Sequence, residues 1–463
     1  MQAQQLGGRP KMPVGIPLHA SRAFLRWQAR LGRPTAMIFL DLTEAFYRII
    51  RPLALGGDLS DEHVAEMAHK LGLQGDALHE FHAQLAEPSA LADAGASPTV
   101  QRFLQAIHAE TWFRIGDQQD IVKTTIGSRP GDSYADVVFG FLWSKLLHSY
   151  VNALAEHDIL EIIPVCDFPD LVPVDPSAVD TQQFLGPNWM DDLNVCIAAD
   201  TNAGIERKAS VALGILIDKC QSLYMKPNLR KGKTEVMFAF RGAASRAYRR
   251  KYFAQNSSLP VVGEHGTSQV SVVSRYLHLG GLLHHKDIDK AEVTRRIAIA
   301  HQAFTSHRKI LFHNRCIDWS KRKDMFATLV LSKLVYGLES WTMKAQKTKD
   351  QFYSGVMKLY RRLLKLPHDC HVTDLDLLVR AGMPKPDELL RQCRLRYYGT
   401  LHNCGRDALW GVLQEDHDWL TLLKDDMTWL WAQISNTSSI GDPREHYPAW
   451  KDLLTHHGGY WKS

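Results

Sequence analysis

The sequence predicts an α+β fold over its first 285 residues and an almost wholly helical remainder. Three observations carry this. Between residues 31 and 240, short apolar runs of strand length alternate with stretches of helical spacing. Beyond Asp287 nearly every window reads as helix. The composition, 45% hydrophobic and 23% charged over 463 residues, is that of an ordinary soluble globular chain with room for two to four subdomains.

The elements follow in order. Residues 18–31 repeat apolar positions at helical spacing until Gly32-Arg33-Pro34 stops them. Residues 36–42, Ala-Met-Ile-Phe-Leu-Asp-Leu, form a strand-length run ending on a carboxylate, after which the pattern turns helical through Glu44, Ala45, Phe46 and Tyr47. Residues 56–110 predict packed helices. One is capped by Ser60, carries Asp61 and Glu62 in its first turn, and presents Val64, Met67, Ala68 and Leu71 on one face. Residues 111–115 and 121–125, split by Gly-Asp-Gln-Gln-Asp, predict a hairpin. A glycine turn at 127–131 opens a long apolar helix from about 133 to 155. A Pro- and Asp-bearing excursion, 164–180, precedes a strand-turn-strand at 184–198, a helix near 203–224 and a strand at 234–240. The end of the chain is Trp-rich, with Trp410, Trp419, Trp429, Trp431, Trp450 and Trp461 predicting a packed helical cap.

Composition narrows the classes. No apolar stretch nears the ~20 residues of a membrane span, and the N-terminus lacks the apolar core of a secretory signal. Seven scattered cysteines with no Cys-x-x-Cys pair read as reduced thiols of an intracellular protein. Cys393, His402 and Cys404 lack the spacing of a zinc cluster. Net charge is only +5, yet residues 226–365 hold 28 Lys and Arg against 9 Asp and Glu, a local balance of +19. That asymmetry fits a polyanionic partner and equally fits solvated helix faces.

The chemistry centres on three carboxylates. Asp41 ends an apolar strand, where its desolvation costs several kcal/mol unless something pairs with it. Asp191-Asp192 sits in a tight turn between apolar runs. Brought together, three carboxylates repel unless cations intervene, and oxygen-only donors suit Mg²⁺. Singly, each has a plainer reading: a solvated acid pair in a turn, and a helix-capping Asp.

The order of the pieces carries a resemblance. Phe39-Leu40-Asp41-Leu42-Thr43-Glu44-Ala45-Phe46 resembles motif A of reverse transcriptases of non-LTR (LINE-type) retrotransposons, and Trp189-Met190-Asp191-Asp192 resembles motif C. Between them, the segment from Gly127 through Arg129, Pro130 and Gly131 to Phe139 is similar to motif B. Residues 225–237, with Lys233-Thr234-Glu235, are similar to motif D, and Tyr276-Leu277-His278-Leu279-Gly280-Gly281 to motif E, the primer grip. Tyr336-Gly-Leu-Glu339-Ser-Trp341 and Arg394-Leu-Arg-Tyr-Tyr-Gly399 resemble later signatures of the family, so the likeness spans about residues 5–402.

The resemblance implies a right-hand polymerase palm: an antiparallel sheet with helices, partial fingers, a helical thumb and a helical C-terminal extension. The corresponding division is 1–35 as partial fingers, 36–285 as palm, 286–365 as a basic thumb-like region and 366–463 as the extension. It implies an RNA-directed DNA polymerase adding dNTPs to a primer 3′-hydroxyl, with two Mg²⁺ (or Mn²⁺) ions held by Asp41 and Asp191 and supported by Asp192. Lys233 would meet the triphosphate, with Lys231 as its competitor. Phe46 would be the steric gate against a 2′-hydroxyl, with Arg129 and Gly131 also facing the nucleotide. Tyr276, Leu277, Gly280 and Gly281 would face the RNA template and DNA primer. Target-primed copying would place the work in the nucleus.

Two departures accompany the likeness. Motif B has Pro130 where Gln is usual, and Ala135-Asp136 where Ser-Pro is usual. Residues 4–10 resemble a Gln-x-Gly-Phe-Arg segment that lies well inside such polymerases, so upstream fingers strands and an endonuclease domain are not expected here. A remnant that binds nucleic acid without polymerising is the alternative, and another two-metal palm enzyme, such as a nucleotide cyclase, is a further one.

Overall fold

A computed structural model describes residues 6–7, 12–57, 60–109, 111–114, 116–117, 120–124, 126–128, 134–165, 180–255, 257–264, 266–367, 371–404, 407–434 and 440–456. In chain order it begins with α1 (Gly15–Arg30), β1 (Thr35–Leu40) and β2 (Leu42–Thr43). Five helices follow: α2 (Arg51–Leu55), α3 (Asp61–Leu71), α4 (Asp76–Ala86), α5 (Ala90–Asp93) and α6 (Pro98–His108). Then come β3 (Trp112–Arg114), β4 (Ile121–Lys123), α7 (Ala135–Glu156), β5 (Glu161–Pro164), β6 (Thr181–Phe184), β7 (Asn188–Trp189) and β8 (Asp192–Ala198). After α8 (Asn202–Ser222) run β9 (Lys226–Pro227), β10 (Glu235–Ala239), α9 (Ser245–Arg250), β11 (Ser258–Gly263), β12 (Gly266–Val273), β13 (Arg275–His278) and β14 (Gly281–His284). The remainder is helical: α10 (Lys290–His307), α11 (Trp319–Phe326), α12 (Ser332–Leu334), α13 (Gln346–Leu363), α14 (Asp374–Ala381), α15 (Pro386–Cys404), α16 (Asp407–Gln414), α17 (His417–Ile434) and α18 (Tyr447–His456). Among the described residues no helix is long and apolar enough to cross a membrane.

The chain forms two compact units, one of residues 1–10, 33–162 and 183–273, the other of 11–32, 163–182 and 274–463. The first is built on a six-stranded sheet ordered β11-β12-β10-β1-β8-β7. All six residues of β1 are buried, because the strand has neighbours on both edges and α8 packs along it. That is why its sequence is apolar throughout instead of alternating. The sheet is antiparallel except at β10–β12, which is parallel. The resemblance implies an antiparallel sheet, and the β10–β12 pair is its parallel exception. The strand entering β12 comes from the β11 hairpin, which delivers it to β10 from the same end. Ile38, Val195 and Phe238 meet Leu147 and Leu213 from α7 and α8 in one core, each such side chain contributing about 1.5–3 kcal/mol on burial.

Local signals in the sequence set several of these elements. The Ser60 side chain accepts the His63 N–H and caps α3, whose Val64, Met67 and Ala68 are buried. The hairpin expected at 111–125 is β3 paired antiparallel with β4. The excursion expected at 164–180 lies largely outside the described residues.

In the second unit α1 is buried almost all round, Gly15 to Gln28. Its cations reach their partners inside this unit. Arg22 donates to Asp287 (3.0 Å) and Asp289 (2.8 Å), and Arg26 to Asp287 (2.5 Å) and Asp416 (2.7 Å). These bonds explain why residues 11–32 join this unit and not the segment 1–35 drawn from the sequence. The β13–β14 hairpin does the same, so the division falls near 273 and not at 285. Its tip carbonyls are held within the unit: Tyr336 Oη donates to Leu279 O (2.5 Å) and Arg295 to Gly280 O (3.1 Å). Val293, Phe304, Phe312, Phe326, Trp341 and Tyr360 form the core of the helices that follow.

Candidate active site

Sheet register brings the predicted residues together. In the antiparallel pairing of β1 with β8, Leu40 lies opposite Leu193, so one step further Asp41 faces Asp192. In the pairing with β10, Phe39 lies opposite Glu235, so Asp41 faces Lys233 on its other side. The carboxylate that ends β1 is thus set between a carboxylate and an ammonium by strand pairing alone. Lys233 Nζ lies 3.2 Å from Asp41 Oδ1.

The turn bearing Asp191 is closed by Trp189 opposite Asp192, leaving Met190 and Asp191 as its two central residues. Met190 takes a φ of 56°, an uncommon left-handed conformation for a side chain of its size. Asn188, two residues before it, is fixed by two neighbours. The Leu6 N–H donates to Asn188 O (2.9 Å), and Trp143 Nε1 donates to Asn188 Oδ1 (3.2 Å). Gly7 then runs so close to the turn that a Cβ on it would sit 2.3 Å from Met190 N. Leu6 and Gly7 are the described part of the motif-like segment from Gln4 to Pro10.

The electrostatics are those of a crowded anionic site. Asp192 is pushed up to about 6, first by burial and then by repulsion from Asp191 and Asp41, with Lys233 opposing. Asp191 is also raised, by burial and then by Asp41 and Asp136, against the pull of its own N–H. Asp136, in the first turn of α7, is a fourth carboxylate, which the sequence marks only as a departure in motif B.

Asp41 itself is gripped by the loop leading into β10. Asn228 Nδ2 donates to Asp41 Oδ2 (3.0 Å), and the Asn228 N–H donates to Asp41 O (2.8 Å). Thr234 Oγ1 accepts from the Asp41 N–H (3.1 Å) and donates to Asp41 O (3.1 Å). Glu235 accepts the Gly232 N–H (2.7 Å) and closes the loop. Asn228 and Thr234 lie within the motif D segment, yet the sequence assigns them no role. Their signal is a Pro-Asn turn and a threonine between two charged residues, and neither names its distant partner.

The remaining predicted residues divide. Phe46 is half-buried with its ring 4.8 Å from Phe139 of α7. Gly127 and Ser128 dock on the same segment, through Gly127 N–H to Ile49 O and Ser128 N–H to Phe46 O, both 2.7 Å. Gly127 has a φ of 80°, and a Cβ there would meet Tyr47 O at 2.7 Å. Arg51 ties this turn to the β3–β4 hairpin, donating to Gly127 O (2.7 Å), His108 O and Thr124 O (2.9 Å each) and Thr124 Oγ1 (3.0 Å). Arg129, Pro130 and Gly131 lie outside the described residues. Tyr276, Leu277, Gly280 and Gly281 all belong to the β13–β14 hairpin of the second unit, where Leu277 is exposed. Arg296 lies over the Tyr336 ring at 4.4 Å and steadies that hairpin's tip.

Among the described residues no group of three His, Cys, Asp or Glu side chains is arranged to hold a metal ion as it stands, Cys393, His402 and Cys404 included. In the aspartate trio the Asp41 carboxylate is taken up by Lys233 and Asn228. The donor chemistry nevertheless fits a hard divalent cation. The ligands are oxygens, and the burial and mutual repulsion that raise Asp191 and Asp192 are both costs that such a cation relieves.

No protein-family model matches the chain. An uncharacterized transposon-derived protein of Caenorhabditis elegans is 25% identical over 261 residues, covering 55% of this chain and 81% of that protein. The similarity relates this chain to transposon-derived sequence.

Proposed function

We propose that the chain is an RNA-directed DNA polymerase of a non-LTR retrotransposon type, with the six-stranded sheet as its palm and the second unit's basic helices as its thumb. The observation that carries the reading is the register that sets Asp41 beside Asp192 and Lys233, with Asp191 in the adjoining turn. Asp41 and Asp191 would hold two Mg²⁺ or Mn²⁺ ions, with Asp192 supporting. When bound, such ions supply charge neutralisation at the attacking and leaving oxygens of an in-line phosphoryl transfer.

The chain's own residues account for the rest. Lys233 is half exposed on Asp41, within reach of an incoming triphosphate once its partner is occupied. Phe46, braced by Phe139, offers a ring where a sugar would lie. The excess of cations in residues 226–365 suits the phosphates of a primer–template duplex. The origin of the relative agrees with a retrotransposon source, and nuclear target-primed copying belongs to the same proposal.

Primer extension on poly(rA)/oligo(dT) with Mg²⁺ or Mn²⁺ tests this. Incorporation that Asp41→Asn and Asp191→Asn abolish is expected. No incorporation, with salt-sensitive RNA–DNA hybrid binding retained, refutes polymerase activity and leaves the binding remnant. No hybrid binding either, with cyclic nucleotide formed from NTPs, identifies a different palm enzyme.

A further inference from the structure

We infer that Asn228, with Thr234, is the positioning residue for Asp41, fixing the plane of its carboxylate so that Oδ1 is the oxygen presented to a divalent cation. The inference rests on the metal-binding part of the proposed function. A strand-end aspartate has a mobile side chain and a backbone that can fray, and here both are held. The Asp41 carbonyl receives two donors, Asn228 N–H (2.8 Å) and Thr234 Oγ1 (3.1 Å), while its N–H is accepted by Thr234 Oγ1 (3.1 Å). The carboxylate is then oriented by one directed bond, Asn228 Nδ2 to Oδ2 (3.0 Å).

Asn228 is itself anchored, since its carbonyl O accepts the Thr234 N–H (2.9 Å). With Oδ2 engaged, Oδ1 meets the Lys233 ammonium at 3.2 Å, so it is the oxygen that already faces a positive charge. Hydrogen bonds of this kind, one shell out from a metal ligand, set ligand orientation and typically change affinity about 10–100-fold when removed. A neutral amide suits this role because it donates without adding a further negative charge beside Asp191 and Asp192.

The test is direct titration with Mn²⁺ alone, read by electron paramagnetic resonance of the free ion, on the full chain with its melting temperature measured in parallel. Asn228→Ala and Thr234→Val are expected to weaken Mn²⁺ binding about 10-fold or more. Thr234→Ser, which keeps the hydroxyl, should restore wild-type affinity. Asp41→Asn separates the two claims. If it leaves binding unchanged, the metal reading fails, and this inference with it. If Asp41→Asn abolishes tight binding while Asn228→Ala binds as wild type, the positioning role is overturned and the metal reading stands. Should Asn228→Ala unfold, the Thr234→Val and Thr234→Ser pair decides: equal affinities refute the clamp, and loss in Val alone supports it.

Discussion

Replacing Asp192 by Asn should stabilise the cation-free protein, although it removes the supporting carboxylate of the proposed chemistry. Burial and the neighbouring Asp191 and Asp41 push Asp192 up to about 6. Between about pH 4 and 6 the folded chain therefore keeps a proton that the unfolded chain releases, so stability falls as pH rises through that window and the full cost stands above it. The gap between an ordinary carboxylate and one near 6 is worth about 3 kcal/mol. The side chain is only partly buried, so solvent screening reduces this to ~1.5 kcal/mol. Asn has the shape of the protonated acid and avoids that cost. For a unit of this size the gain is about 3–6 °C in melting temperature.

Melts followed by circular dichroism at pH 7.5 in EDTA should show that gain, shrinking to roughly half by pH 5 as the wild-type acid takes up its proton. Mn²⁺ should then raise the wild type more than the variant, because the wild type alone keeps the third carboxylate. A variant that melts at or below the wild type at pH 7.5, or whose gain is the same at both pH values, would refute the account of the site as a crowded anionic cluster.

Three further outcomes follow from the same geometry. Mn²⁺ affinity, measured between pH 5 and 8, should tighten about tenfold per pH unit below 6 and level off above 7, since Asp192 must lose its proton to support the ion; a flat profile argues against its involvement. Gly7→Ala puts a Cβ where only 2.3 Å separates it from the Met190 N. It should raise amide exchange at Met190 and Asp191 and cost about 1–3 kcal/mol, and unchanged exchange there would show that the segment has another way past the turn. In the second unit, burial pushes Asp416 up, but Arg26 and His19 outweigh it and hold it at about 2. Its contribution is present above the ordinary carboxylate value and lost as pH falls towards 2. Asp416→Asn should cost about 3–5 kcal/mol by stranding a buried Arg26, and a loss under 1 kcal/mol in urea melts would mean that Asp287 suffices.

Several strands, a helix cap and the placing of the aspartates are legible in the sequence because their signals are local. An apolar run ending in Asp41, two apolar runs flanking Asp191-Asp192, and Ser60 ahead of an acidic first turn each announce themselves within a few residues. What is not legible depends on partners far along the chain. The helical spacing of residues 18–31 says nothing of where its basic residues go. Arg22 and Arg26 are buried, and their carboxylates lie 261 to 390 residues away. His19 likewise sits fully buried between Tyr397 Oη and Asp416, its basicity lowered by burial despite that carboxylate. Because the Asp416 carboxylate only accepts, Nε2 is the ring nitrogen that donates to it. Periodicity reports which positions face a core, and it has no channel for saying that a core contains charge.

The same limit applies, with more consequence, to Asp41. A one-residue slip of β1 against β10 would turn its side chains to the opposite face and replace Lys233 as its neighbour. The apolar content of β1 gives little protection, since a strand buried on both faces tolerates either face inward. What pins the register is polar: Thr234 bonding both the N–H and the carbonyl of Asp41, and Asn228 bonding the carbonyl again. Residues that look like loop chemistry in the sequence thus decide which residues the catalytic candidate meets. Within Lys233-Thr234-Glu235 the work is divided, since Lys233 pairs the carboxylate, Thr234 locks its backbone and Glu235 closes the loop through Gly232. A Thr234→Val change should accordingly disturb the site without emptying any part of the core. Its mark would be faster exchange at the Asp41 amide with that of Ile38 unchanged, and equal acceleration at both would show that the strand is held by its apolar packing instead.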